Sequence, residues 1–600
     1  MTSGDVTAPR WRAHDIHGPR RRFPGHLYLS RAQTRAARLE YRPRRGACAR
    51  DGLRPARLPL QGGVTNLDTR GPLASGHDAR RMRRVWVLIG GLAIAVAGSY
   101  AATLVATEGE PLLVVPLVGA LVGLAIFTRP ELGLYFLFAA AILLEQFEIS
   151  GLSPLTARTN FFQNISGFSN VPLRFSACDV VAVMTLASWL MRRVVGANAP
   201  ARVGPLRWGI AAYILAFAFG TVIGAARGGS WDSIAALAEA RGPIYACLLC
   251  FLTANLVRER SQLVALLWMF VLLVGVKAFQ AIGNYVEVQT RGPYWIEAVT
   301  AHEDVIFFDV AVAVALVMVA LGLRGRLMYV LLALQPVILA AEVLTTRRVA
   351  FVALAAALLV VALMSAIDRP RMTLVVVAGA TLVFALYAGA LWDHHGPAAL
   401  PVSIVRGVVD PNSLSWRDRG SNDWREIENS NIGYTVRQLP LTGVGLGQEY
   451  LFQREPPALT NFVYWRMMTH NAVLWLWLKA GPYGAFALWF LVAKVVLSGL
   501  SLYRRLDDPL LRAAASFPVL VTVAQIVFSS VDLGLTYNRT MIVFGVALGF
   551  VAPLAAWVRS AQPEPSRLSS KMAASEPQRG DGSPRGFPTP LGGQVPSGST

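Results

Sequence analysis

Between residues 85 and 558 the chain is a succession of apolar runs, each about as long as a bilayer core is thick, and this constrains the fold more than anything else in the sequence. A helix needs about 20 apolar residues to cross the hydrocarbon layer. Lipid offers no partner to backbone N–H and C=O groups, so such runs fold as helices, whose hydrogen bonds are internal. This template predicts fourteen spans, at 85–106, 110–128, 131–148, 178–195, 206–226, 242–258, 262–283, 304–323, 326–345, 348–367, 371–392, 470–500, 510–530 and 538–558. The predicted fold is all-α, a polytopic transmembrane helix bundle of about 14 spans, with no internal repeat. Charged residues are 15% of the chain, against about 25% in soluble globular proteins, which excludes a mostly soluble protein.

Residues 1–84 form a basic N-terminal tail, 85–392 hold spans one to eleven, 393–469 form a long loop, 470–558 hold the last three spans, and 559–600 form a Pro-, Gly- and Ser-rich tail. Both tails are expected to be disordered, because they bury too little apolar surface to offset the entropy of ordering. Residues 1–84 hold nineteen Arg against six acidic residues, so the net charge of +20 reports mainly this tail. The charge therefore gives no reason to expect a nucleic-acid partner. Three readings of the tail compete: a segment on anionic head groups, a binding site for a cytoplasmic partner, or a non-native start upstream of Met82. The last is preferred, because MRRVWVLIGG reads as a first span with its positive flank. Of the four cysteines, Cys247 and Cys250 form a CxxC inside an apolar run and are expected to be small packing residues.

Orientation follows from the basic loops. Arg81, Arg83 and Arg84, then Arg192 and Arg193, Arg258 and Arg260, Arg324 and Arg326, Arg369 and Arg371, Arg504, Arg505 and Arg512, and Arg559 all fall on one side if both termini are cytoplasmic. The opposite side then carries loops at 149–177, 284–303 and 393–469. The last is 77 residues long, polar and partly aromatic, and is expected to fold partly as amphipathic helices. Loops of that length usually have a role.

Charge beside a bilayer is costly and marks candidate sites. It clusters on this face: Arg241, Lys277, Arg291, the run His302, Glu303 and Asp304, then Glu342, Arg347, Arg348, Arg437, Arg454, Arg466 and His470. So many arginines there suggest an anionic ligand. Guanidinium binds phosphate oxygens in bidentate fashion and stabilises charge on a departing phosphate without a metal. For any one arginine, the competing reading is a snorkelling side chain at the head groups. Neither His302-Glu303-Asp304 nor Asp393-His394-His395 places three ligands on one helical face, so no metal site and no cofactor is expected.

Three segments resemble the O-antigen ligase and polymerase superfamily of integral-membrane glycosyltransferases. TTRRVAFVALAAALLVV (345–361) resembles the family's outer-face Arg before a small-residue-rich helix. RQLPLTGVGLGQEYL (437–451) resembles its proline-then-GxGxG segment late in the long loop. THNAVLWLWLKAGPYGAFALWFLV (469–492) resembles its His-Asn at the start of the next helix, followed by Gly-x-x-Gly. Arg241, in EARGPIYACLLCFL, stands where the family has another basic residue. By order and spacing the resemblance covers about 205–555.

The resemblance implies an enzyme of the plasma (inner) membrane that transfers a glycan from an undecaprenyl-pyrophosphate carrier to a glycan or lipid acceptor hydroxyl on the outer face. It implies His470 and Arg348 as catalytic residues. Arg241, Arg347, Arg437, Arg291, Gly443, Gly445 and Asn471 are the substrate-binding candidates. His470 would take the acceptor's proton, which imidazole can do near neutral pH. Gly443, Gly445 and Gly447 would let the loop turn close to substrate, and Gly481 and Gly484 would let the following helix pack closely or bend. Of the adjacent pair, Arg348 is chosen by its distance from the helix. The alternative is a transporter or flippase of lipid-linked oligosaccharide, disfavoured by the long loop and by charges gathered toward one face.

Overall fold

The computed structural model describes residues 114–561, apart from 148, 150, 151, 153, 168–172, 197–199, 291–297, 395, 460 and 461. The first predicted span, Arg291 and nearly all of both predicted tails lie outside these residues. The helices are α1 (Val114–Thr128), α2 (Pro130–Leu143), α3 (Ala177–Val194), α4 (Arg207–Arg227), α5 (Ser233–Leu256), α6 (Arg260–Thr290), α7 (Asp304–Ala320) and α8 (Arg326–Leu344). They continue with α9 (Arg348–Asp368), α10 (Pro370–Ala390), α11 (Leu400–Val409), α12 (Trp416–Gln438), α13 (Ala472–Arg505), α14 (Pro509–Ser529), α15 (Asn538–Gly549) and α16 (Val551–Ala561). Among the described residues there is no β-strand, only an isolated bridge between Ile149 and Leu152.

Nine helices among the described residues are long and apolar enough to cross a membrane, counting α15 and α16 as one. The protein is a multi-pass membrane protein. Four predicted spans fall short of that standard among the described residues. Helix α1 has 15 residues, α2 has 14 and α7 has 17, while α3 carries Asp179, Arg192 and Arg193. The sixth predicted span, 242–258, starts earlier, at Ser233, because Asp232 caps the helix by accepting from the N–H groups of Ile234 and Ala235. Arg241 is therefore inside a helix and not at its end. The predicted C-terminal tail begins at 559, but α16 runs on to Ala561. The predicted loop 393–469 contains α11 and α12.

Small residues let the central helices approach closely. A Cβ on Gly545 of α15 would stand 2.5 Å from the Ala246 carbonyl of α5, and one on Gly549 would meet the Thr253 side chain at 2.3 Å. Helix α13 breaks at Ala480 and Gly481, where Gly481 has φ of 61°, just ahead of Pro482, which cannot donate the usual backbone bond.

The carbonyls at the end of α2 have no partner within their own helix. Arg539 of α15 donates to the carbonyls of Ala141 (3.0 Å) and Ile142 (3.1 Å), and Lys277 of α6 donates to that of Leu143 (3.3 Å). The same cations pair with acids: Arg539 with Glu303 (2.9 Å) and Asp304 (2.6 Å), and Lys277 with Glu145 and, at 3.6 Å, Asp304. Two bases and three acids, all buried, thus tie α2, α6, α7 and α15 together. Losing one partner of such a network strands the others in low dielectric.

Candidate active site

The N-terminal ends of α7, α9 and α13 and the turn between α14 and α15 enclose a cavity of about 590 Å³. Helix α12 closes one side with Ser421, Trp424 and Arg425. The chemistry in it comes from two clusters.

The first centres on His470, one residue before the Asn471 N-cap of α13. The Asn471 side chain accepts from the Leu474 N–H at 3.1 Å and donates to Asn429 Oδ1 at 3.2 Å, so it caps the helix and links it to α12. Glu428 of α12, 1% exposed, accepts the His470 backbone N–H at 3.1 and 3.0 Å and faces His470 Nδ1 at 3.2 Å. A carboxylate can only accept, so Nδ1 carries the proton and Nε2 is left as the proton acceptor. The ring packs edge-on against Trp424, centroids 4.8 Å apart. Burial by itself would lower the His470 pKa; the hydrogen bond and charge of Glu428, then the charge of Asp532, outweigh burial and Arg425, and the net shift is upward.

The second centres on His302. Arg347 bonds His302 Nε2, and a guanidinium can only donate, so the histidine proton lies on Nδ1, 3.8 Å from Asp532 Oδ2. Asp532 Oδ1 accepts the Leu533 N–H at 2.7 Å and the Tyr537 hydroxyl at 2.8 Å. Burial would raise the Asp532 pKa, but its pairing with His302, the charge that His302 and His470 carry when protonated, and the charge of Arg347 hold it well below the usual carboxylate range. Glu303, held by the buried Arg539, forms part of the wall.

The structure brings together some of the candidates and separates others. His470 and Arg347 line the same cavity. Arg348 does not: as the first residue of α9 it reaches α12, with Nη2 3.0 Å from Asn422 and Nε 3.5 Å from Asp418. The two arginines diverge because Arg347 has extended backbone (φ −101°, ψ 117°) where α9 begins, after Thr346 at φ 57°. Arg241 is not among the lining residues either. It is 9% exposed and held between the Arg174 carbonyl (2.9 Å) and Asp179 (3.5 Å). Arg437 is exposed in the last turn of α12. Among the described residues no group of three His, Cys, Asp or Glu is placed to hold a metal ion. Within the run 302–304, His302 faces Arg347 while Glu303 and Asp304 face Arg539.

The glycines of the GxGxG segment serve another purpose. Gly443, Gly445 and Gly447 have φ of 64°, 94° and 74°, values that side chains strain to adopt. They lodge the loop between α4, α5 and the break in α13. Val444 and Gly445 N–H groups donate to the carbonyls of Leu478 (2.8 Å) and Lys479 (3.1 Å), and Leu446 donates to Gly220 (2.9 Å). Buried Glu239 accepts the Gly447 N–H at 2.5 Å and the Trp475 indole N–H at 3.2 Å, and pairs with Lys479 at 2.8 Å. This latch fixes the start of α13, and His470 with it, but none of the three glycines lines the cavity.

Fold and site together define a multi-pass membrane protein with a histidine–carboxylate pair and guanidinium groups around one cavity beside its spans. Residues 336–490 match the family model described as O-antigen ligase. The matched segment, about a quarter of the chain, includes Arg347, Glu428 and His470, so this part of the membrane protein is similar to the O-antigen ligase family. No curated protein matches the chain at a significant level. Sequence reasoning passed over Glu428, Arg425, Asp532 and Tyr537, none of which sits in a segment that resembles a family motif.

Proposed function

We propose that the protein is a glycosyltransferase that moves a glycan from an undecaprenyl-pyrophosphate carrier to an acceptor hydroxyl at the outer face of the membrane. The observation that carries this reading is one cavity lined by both His470, whose Nδ1 is fixed by Glu428, and Arg347. The family match supports lipid-linked glycans as the substrate class. The acceptor oxygen attacks the anomeric carbon as the bond to the carrier's phosphate oxygen breaks, and the acceptor's proton passes to His470 Nε2. Arg347 and Arg425 stabilise the negative charge that grows on the departing pyrophosphate. The basic loops support this sidedness: Arg504 and Arg505 stand in the last turn of α13, at the opposite end from the His470 that lines the cavity. The deciding experiment is reconstitution of the purified chain in proteoliposomes with lipid-linked glycan supplied on the outer face. Transfer is expected; flipping of the carrier without transfer would assign the cavity to a flippase.

Two further results are expected. His470 acts as a base only when neutral, and Glu428 favours its protonated form. Transfer should therefore rise with pH through a pKa above that of free imidazole and level off beyond it. In Glu428→Gln the carboxylate charge is gone, so the acidic limb should move to lower pH while the plateau falls. A limb that stays in place, measured as rate against pH, removes Glu428 from this role. Because arginines take the place of a cation at the pyrophosphate, transfer should also be insensitive to EDTA. Activity lost to EDTA and restored by a divalent metal would contradict that assignment.

A further inference from the structure

A second cavity, of about 170 Å³, lies at the other end of α15 from the His470 site. Helix α15 begins at Asn538, beside the cavity-lining Tyr537, and ends at Gly549, which lines the second cavity. The rest of the wall comes from Arg202 to Arg207, the first turns of α4, the C-terminal part of α5 and Ala552 of α16.

Its two halves differ in chemistry. Arg202 is held in place: its N–H donates to Asn255 Oδ1 at 2.8 Å, and its carbonyl accepts from Asn255 Nδ2 at 3.2 Å. Asn255 itself is 1% exposed. Arg202 Nη1 is enclosed yet meets no acceptor among the described residues. An enclosed donor without an acceptor carries a desolvation cost that a ligand oxygen would relieve. Arg207 also lines the cavity, and its guanidinium stacks over the exposed Trp208 ring at 5.4 Å, an Arg–Trp pair of the kind found at membrane–water boundaries. The other half is apolar, formed by Ile210, Ile214, Phe251 and Leu548. Among the described residues, no Asp or Glu lines the cavity. Positive charge is concentrated here: burial, then the charges of Arg202 and Arg193, push the Arg258 guanidinium below its usual pKa.

We propose that this cavity binds an anionic phospholipid, with the headgroup phosphate on Arg202 and Arg207 and an acyl chain along Ile210, Ile214 and Phe251. A guanidinium fork suits phosphate oxygens. The apolar half is what a free phosphate would leave unused, so the lipid and not the inorganic ion is the fitting occupant. This site is independent of the transferase reading, because its test reads binding and not transfer.

The test is native mass spectrometry of the full chain in detergent, titrated separately with phosphatidylglycerol, phosphatidylcholine and inorganic phosphate. The wild-type chain should retain phosphatidylglycerol about fivefold better than phosphatidylcholine, the effect of about one basic residue at an anionic surface. Arg202→Gln should erase that preference. Arg559→Gln, which removes an exposed arginine that does not line the cavity, should preserve it. Ile214→Trp, which fills the apolar half and leaves both arginines, should remove the retained lipid and provides the reading if Arg202→Gln fails to fold. Three results would overturn the proposal: no preference in the wild-type chain, equal loss in Arg202→Gln and Arg559→Gln, or displacement of the lipid by inorganic phosphate.

Discussion

Glycan transfer by His470→Ala is expected to fall by about 10²–10⁴-fold, the range usual for loss of a positioned general base. The size of the effect follows from the geometry. Glu428 fixes the Nδ1 proton at 3.2 Å, the Trp424 edge restrains the ring, and Nε2 is the remaining proton acceptor. The substitution should not unfold the chain. The backbone N–H of residue 470 still donates to Glu428, the Asn471 cap is untouched, and the side chain removed is 23% exposed. Lipid-linked donor should still bind, so the loss should fall on kcat and leave KM largely unchanged. A variant that is folded and as active as the wild type would remove His470 from the chemistry and leave the cavity as a binding site only.

The spans were legible because the period and length of apolar runs report the bilayer directly, as in 326–345 and 348–367, which became α8 and α9. Helix ends were less so. Residues 233–241 lie within α5 although Glu239 and Arg241 interrupt the apolar run, because each finds a partner, the buried Lys479 or the half-buried Asp179. Pairing of that kind joins residues 62 and 240 positions apart and leaves no local signal. Glu428 was hidden among Asp418, Asp423 and Glu426 on a polar helix, where nothing distinguishes the one carboxylate that turns inward. Asp532 sits in a short turn between spans, which reads as a mere connection. The GxGxG segment was conspicuous for a physical reason, its need for positive φ, but that need arises from packing the loop into α4, α5 and α13. The sequence singled out the right segment and assigned it to the substrate, whereas the structure uses it to hold the element that carries His470.

Arg347→Ala should reduce transfer by about 10²–10³-fold, as expected when one donor to developing negative charge is removed from an enclosed site, and Arg348→Ala should cost far less. Adjacency in sequence hides a difference in direction. Arg347 occupies the extended residue before α9 and lines the cavity with His302, whereas Arg348 is turned toward Asp418 and Asn422 of α12. Losing Arg348 loosens the seat of α12 and hence of Glu428, a partial effect that better substrate saturation or lower temperature should soften. In the proposed reaction, losing Arg347 would take away charge at the leaving group and also the donor that fixes the His302 tautomer. Arg347→Lys is the informative third variant: it keeps the positive charge but not the planar fork, so it should recover only part of the lost rate. Equal losses in the two alanine variants, with both folded, would mean that charge on this face acts diffusely. The assignment of Arg347 to the leaving group would then fail, because a diffuse field does not distinguish a residue inside the cavity from its neighbour outside it.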